Sequence, residues 1–179
     1  MKGAEPHAVV ADTVFDGETL HRDHAVIIEG RRISAVVPTR DLPRELPIRH
    51  LPDGVWLAPG FIDVQVNGGG DVLFNDDPTP EGIAAIAAAH RRFGTTALLP
   101  TLITGSTDKM RAARAAVDAA LGSVPGVLGI HFEGPFLSPE RAGVHDPVKM
   151  RPPRGWSGSP TISPAKARRS SSPVRGGIK

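Results

Sequence analysis

Residues 61–103, FIDVQVNGGGDVLFNDDPTPEGIAAIAAAHRRFGTTALLPTLI, read as strand, helix, strand. In FIDVQVN the side chains alternate, with Phe61, Asp63, Gln65 and Asn67 on one face and Ile62, Val64 and Val66 on the other. The polar face is unusual, because a parallel strand covered on both sides reads as a continuous apolar run. Thr79-Pro80-Glu81 then opens a helix: a capping hydroxyl, a rigid first position, and an acid at the positive end of the dipole. The helix runs through IAAIAAAHRRF and stops at Gly94, which suits the left-handed residue past a helix end. TTALLPTLI follows as a mostly apolar strand.

Toward the C-terminus, Ser106 or Thr107 caps a second helix, DKMRAARAAVDAAL, that ends at Gly122. GVLGIHFEG, residues 126–134, reads as a third strand with His131 and Glu133 on one face. Strands alternating with helices imply parallel pairing through right-handed crossovers. Polar side chains gather near the C-terminal ends of the first and third strands. Both a (β/α)8 barrel and a doubly wound sheet place their chemistry at that end. Gly68-Gly69-Gly70 lacks the G-x-G-x-x-G spacing and a following helix cap, so dinucleotide binding is not expected.

Toward the N-terminus, residues 8–57 read as short strands. AVIIEGRRISAVV forms a hairpin about Glu29-Gly30-Arg31-Arg32, in which Gly30 supplies a positive φ. Asp53-Gly54 is a further turn, followed by Val55-Trp56-Leu57. Aromatic residues are only 4% of the chain, so Trp56 and Phe61 are expected to anchor packing rather than form a stacking platform.

The 179 residues suffice for one domain, or for one domain with an appendage, and 40% hydrophobic content supports a folded core. Without cysteine there is no disulfide, zinc thiolate or cysteine nucleophile. No apolar run approaches the ~18 residues of a membrane span, and MKGAEPHAVV is not a signal peptide, so a cytoplasmic location is expected. The net charge of +2 hides an asymmetry. Residues 149–179 carry eight Lys or Arg and no acid, leaving thirteen basic against nineteen acidic residues over 1–148, a net of −6. A basic tail can be a nucleic-acid-binding arm, but only Trp156 interleaves its charges and the body is acidic.

Gln65 and Asn67, two residues apart, either orient water or substrate or are simply hydrogen-bonded residues at a strand end. Glu133 ends a strand before a Gly-Pro turn and a polar loop, PFLSPERAGVHDP. A carboxylate buried there must be paired, protonated or bound to a metal. His131 shares its face one position pair deeper, which suits a supporting role. His145, in the loop, is placed to reach across the mouth. His7, His21, His24, His50 and His90 are expected at the surface.

LAPGFIDVQVNGGGDVLFND and GIHFEGPFLSPERAGVHDP together resemble the N-acetylglucosamine-6-phosphate deacetylases of the amidohydrolase superfamily. The likeness covers roughly residues 8–153, and the second motif is the more specific. It implies the first three βα units of a (β/α)8 metal-dependent hydrolase barrel at 58–153, preceded by part of a small β-sandwich domain at 1–57. Residues 154–179 would be a disordered basic tail rich in Ser, Pro and Gly. It implies hydrolysis of N-acetylglucosamine 6-phosphate to glucosamine 6-phosphate and acetate, by a cytoplasmic, homodimeric enzyme of amino-sugar catabolism. One divalent metal ion, zinc, is the implied cofactor, with Glu133 as its carboxylate ligand. Val144 and His145 match the segment that contacts the amino-sugar phosphate. Gln65 and Asn67 stand where many amidohydrolases carry His-x-His, which argues for one metal rather than two. No residue here matches the family's general-base Asp or its two histidine ligands, so no catalytic residue is assigned.

An eight-stranded barrel takes about 250 residues, and three strands can be counted. The change to basic low complexity after about Pro153 fits a frameshifted or misassembled gene end more simply than a nucleic-acid arm. Two functions remain: a deacetylase whose 179-residue chain is inactive alone, or a non-catalytic remnant that serves as an interaction fragment. Another amidohydrolase specificity, such as an aminoacylase, fits the GVHDP segment less well.

Overall fold

Short β-branched runs separated by turn residues build the first part of the chain. The computed structural model describes residues 5–151 and divides into two units after Pro59; the expected basic tail at 154–179 lies outside the described residues. The first unit holds β1 (His7–Val10), β2 (Thr13–Phe15), β3 (Leu20–Arg22), β4 (His24–Glu29), β5 (Arg32–Pro38), β6 (Ile48–His50) and β7 (Trp56–Leu57). One sheet has the order β5-β4-β1-β6 and a second the order β3-β2-β7. The expected hairpin is β4–β5: Glu29 pairs with Arg32, and Gly30 takes φ +62. Ala8, Val9, Val14, Ala25 and Val26 are buried in this unit. Trp56, expected as an anchor, is instead exposed, because β7 is a two-residue strand at the edge of its sheet.

In the second unit, β8 (Phe61–Val66) leads to a small hairpin, β9 (Gly68–Gly69) with β10 (Val72–Leu73). Gly70 and Asp71 both take positive φ, as a tight two-residue turn between twisted strands requires. Helix α1 (Pro80–Arg91) begins where the cap predicts, with the Thr79 hydroxyl accepting from the Gly82 N–H. It packs directly on the hairpin: a Cβ on Gly69 would lie 2.9 Å from the His90 ring. His90 is therefore half-buried rather than at the surface, its Nε2 2.9 Å from the Gly68 carbonyl oxygen.

Strand β11 (Thr95–Ile103) and helix α2 (Thr107–Ala120) follow, with Ser106 as the cap; its hydroxyl accepts from the Lys109 N–H. The third strand is shorter than the predicted 126–134: β12 covers His131–Glu133, preceded by an isolated bridge between Leu98 and Val127. The ladder lapses over residues 128–130, between that bridge and β12. The sheet order is β12-β11-β8, all parallel, with Thr101 opposite His131 and Ile103 opposite Glu133. Val66, Phe74, Ile83, Ile86, Leu98, Leu102, Val117 and Ile130 form one core between this sheet and the two helices. That core reaches only the C-terminal end of β8. Val66 is 2% exposed, whereas Ile62 and Val64 on the same face are 65% and 61% exposed. Phe61, expected as an anchor, is 69% exposed on the same edge strand, because among the described residues nothing covers it. No helix among the described residues is long and apolar enough to cross a membrane.

Candidate functional site

Parallel pairing places the C-terminal ends of β8 and β12 at one end of the sheet, and that end carries the polar cluster. Asn67 follows β8, and its Nδ2 donates toward Glu133 Oε2 at 3.5 Å across 66 positions of sequence. Glu133 is half-buried at the end of β12. His145 comes from the loop that follows, and its Nε2 lies 3.4 Å from Glu133 Oε1. The structure thus brings together Asn67, Glu133 and His145.

His145 differs in setting from the expectation of a residue reaching across an open mouth. It is 8% exposed, with Nδ1 2.9 Å from Thr104 Oγ1 and 3.4 Å from the Thr104 nitrogen. A backbone N–H can only donate, so Nδ1 is the acceptor and the proton of the neutral ring sits on Nε2, facing Glu133. The Thr104 hydroxyl also lies 3.4 Å from the Glu133 carbonyl oxygen. Gly134, at φ +97, is required here: a Cβ at that position would strike the Thr104 hydroxyl.

The other expected residues are apart from this cluster. Gln65 is exposed, and its N–H donates to Asp63 Oδ1 at 3.1 Å. His131 sits beneath Glu133, with Nδ1 3.3 Å from Thr101 Oγ1 on the neighbouring strand. Val144 is 84% exposed beside the buried His145. Next in the chain, Asp146 is held below its ordinary carboxylate range by Lys149, 3.1 Å away, and by the Val148 N–H.

Three supporting residues escaped the sequence reading. Thr104 is one, and only its place after the apolar β11 hinted at a strand-end role. Asn75 holds the end of β11, accepting from the Ile103 N–H at 2.9 Å and donating to its carbonyl at 3.3 Å. Arg151 donates to the Thr107 hydroxyl and to the Gly105 carbonyl at 3.2 Å, tying the end of the described chain to the start of α2. Nothing local marks such long-range contacts.

A profile of the amidohydrolase family matches residues 56–176, and one described as the NagA composite domain matches residues 7–54. The chain belongs to the amidohydrolase family. Among its relatives in that family is an N-acetylgalactosamine-6-phosphate deacetylase of Shewanella sp. (strain ANA-3), 53% identical over 106 residues, covering 59% of this chain and 27% of the relative. An N-acetylglucosamine-6-phosphate deacetylase of Haemophilus influenzae is 36% identical over 146 residues, covering 81% of this chain and 38% of the relative. The solved N-acetylglucosamine-6-phosphate deacetylase of Pasteurella multocida superposes with a TM-score of 0.77 at 34% identity, covering 82% of this chain and 39% of that one. This amidohydrolase chain therefore spans between a quarter and two fifths of the length of these relatives.

The implied divalent ion can be tested against the donor set. A catalytic zinc takes three protein ligands and a water. Among the described residues no three His, Asp or Glu side chains converge. Glu133 and His145 form a pair, and the Asn67 amide is a weak third donor for zinc. The described residues do not complete a catalytic metal site.

Proposed function

We propose that this chain carries the N-terminal strands of an amidohydrolase that removes the acetyl group from an N-acetylamino-sugar 6-phosphate, and that residues 1–179 alone do not perform the reaction. The meeting of Asn67, Glu133 and His145 at the C-terminal end of the parallel sheet carries this reading. The relatives' activities favour it among amidohydrolase chemistries. The three strands and two helices are, in this reading, the opening βα units of a (β/α)8 barrel, and the N-terminal unit is part of a β-sandwich domain.

In the overall reaction, water adds to the acetyl carbonyl carbon and the C–N bond breaks. Acetate leaves, and the amine takes up the proton. Of the chain's own residues, Glu133 contributes a carboxylate at the reacting end and His145 an Nε2–H beside it. Asn67 faces the other carboxylate oxygen at 3.5 Å; Val144, exposed beside His145, is in this reading a contact for the sugar phosphate. Glu133 serves as one ligand of a divalent ion, zinc in this reading, whose other ligands lie outside the described residues. The acid–base carboxylate also lies outside them. The intact enzyme is then cytoplasmic and homodimeric, with a small-molecule substrate and no nucleic acid.

A second substrate follows from the relatives. The 53% identity to a galactosamine-type deacetylase exceeds the 36% to a glucosamine-type one, although over fewer residues. Assaying both N-acetyl hexosamine 6-phosphates separates the two. The 179-residue chain should release no acetate from either sugar with added zinc. The same residues joined to the remaining strands of the Pasteurella multocida relative should release it. Acetate release by residues 1–179 that disappears in Glu133→Ala would overturn the inactivity, and a joined chain inert on both sugars would overturn the deacetylase reading.

A further inference from the structure

We infer that Arg151 is a positioning residue of the candidate site: its guanidinium fixes the turn between β11 and α2, whose Thr104 holds the His145 ring against Glu133. His145 and Arg151 belong to one loop, and both leave it for that same turn. His145 Nδ1 meets the Thr104 hydroxyl at 2.9 Å and the Thr104 N–H at 3.4 Å. Arg151 donates from one terminal nitrogen to the Thr107 hydroxyl and from the other to the Gly105 carbonyl at 3.2 Å. Other hydrogen bonds of the loop close local turns, His145 N–H to Ala142, Lys149 N–H to Asp146 and Met150 N–H to Pro147. The Arg151 N–H donates to the carbonyl of buried Pro135 at 3.0 Å, which draws the two ends of the loop together.

The setting of Arg151 is costly, which marks the side chain as more than packing. It is half-buried and forms no ion pair among the described residues. Its Nε is buried without a hydrogen-bond partner among them, a desolvation left uncompensated. It also stands at the N-terminal turn of α2, the end of a helix that disfavours a cation. The acid of that turn, Asp108, is exposed and pairs with Arg111 at 3.0 Å instead. An unbranched apolar side chain would fill the place beside buried Met110 without these costs. It cannot supply two donors in one rigid plane to two acceptors of the same turn. With Gly105 and Thr107 held, Thr104 keeps its N–H and hydroxyl on Nδ1, and the ring proton stays on Nε2, toward Glu133. That His145 and Glu133 matter to catalysis rests on the proposed function; the placement of the ring does not.

The test uses the isotope-labelled 179-residue chain at about pH 8, above the ordinary histidine range. NMR reads the nitrogen shifts of the His145 ring and hydrogen exchange at the Thr104 N–H. The wild type should show the Nε2–H tautomer and a protected Thr104 amide. Arg151→Met, which keeps the length and loses the donors, should give a mixture of tautomers and about tenfold faster exchange at Thr104. Arg151→Lys, with one donor group in place of the fork, should fall between the two. Thr107→Val removes one acceptor without touching Arg151 and should speed the same exchange to a smaller extent. Lys149→Ala, an exposed residue paired with Asp146 inside the loop, should change neither reading. A wild-type ring and wild-type exchange in Arg151→Met would overturn the inference, even with a lowered melting temperature, because the residue would then be structural only. An equal disturbance in Lys149→Ala would also overturn it, by showing that any loosening of the loop moves the ring. Should Arg151→Met fail to fold, unchanged Thr104 exchange in Thr107→Val would overturn it. A joined chain that deacetylates neither sugar would refute the proposed function and leave this inference standing.

Discussion

His145 Nε2 lies 3.4 Å from Glu133 Oε1, and the opposite nitrogen of the same ring is held by the amide and hydroxyl of Thr104. The imidazole thus links the end of β11 to the end of β12. Its removal leaves a hole and unpaired groups in a nearly water-free position. His145→Ala should destabilise the second unit by about 1–3 kcal/mol and Thr104→Val by about 1 kcal/mol. Urea unfolding followed by far-UV circular dichroism measures both. A His145→Ala midpoint equal to wild type would show that the ring is not packed as described.

Among the described residues Phe74 is the largest fully buried side chain, and it belongs to the core that includes Ile83 and Ile86 of α1. Phe74→Ala should cost about 3–5 kcal/mol through lost burial and the cavity left behind. Phe93→Ala, at an exposed position, should stay within about 0.5 kcal/mol of wild type. The contrast between two phenylalanines in one unit, read from the same denaturation curves, tests the placement of the core.

Asp16 is held well below the ordinary carboxylate range, first by the Thr19 N–H, then by His21 at 2.7 Å, then by the Glu18 N–H. A carboxyl depressed in the folded state contributes stability above its unfolded value and loses it as pH falls through the folded value. The stability advantage of wild type over Asp16→Asn should therefore be constant above about pH 5 and shrink below about pH 4. Thermal melts of the two proteins across pH 2.5–7 measure it. An advantage that grows toward acid would reverse the sign and refute the contact.

Zinc should not be retained by the 179-residue chain after size-exclusion chromatography, because the described residues offer an incomplete donor set. Added EDTA should leave its melting temperature unchanged. Metal analysis showing one zinc per chain, lost in Glu133→Gln, would mean that residues outside the described ones complete the site within this chain.

Local chemistry alone determined where elements begin and turn. Thr79 and Ser106 cap their helices as their spacing implies, and Gly30 closes the β4–β5 hairpin at positive φ. Each of these depends on groups within about four residues of one another, which a sequence displays directly. The alternation of FIDVQV gave the two faces of β8 for the same reason, and the motif around Glu133 carried the family. Only the tertiary structure decided which side chains on those faces are covered. Val66 is buried while Ile62, Val64 and Phe61 are exposed, because cover comes from α1 and from strands distant in sequence. The same holds at the site. His145 is buried against Thr104, 41 positions away, and Asn67 meets Glu133 across 66. Such pairings arise from the parallel register of β8, β11 and β12, set by long-range packing that no single segment of the sequence encodes.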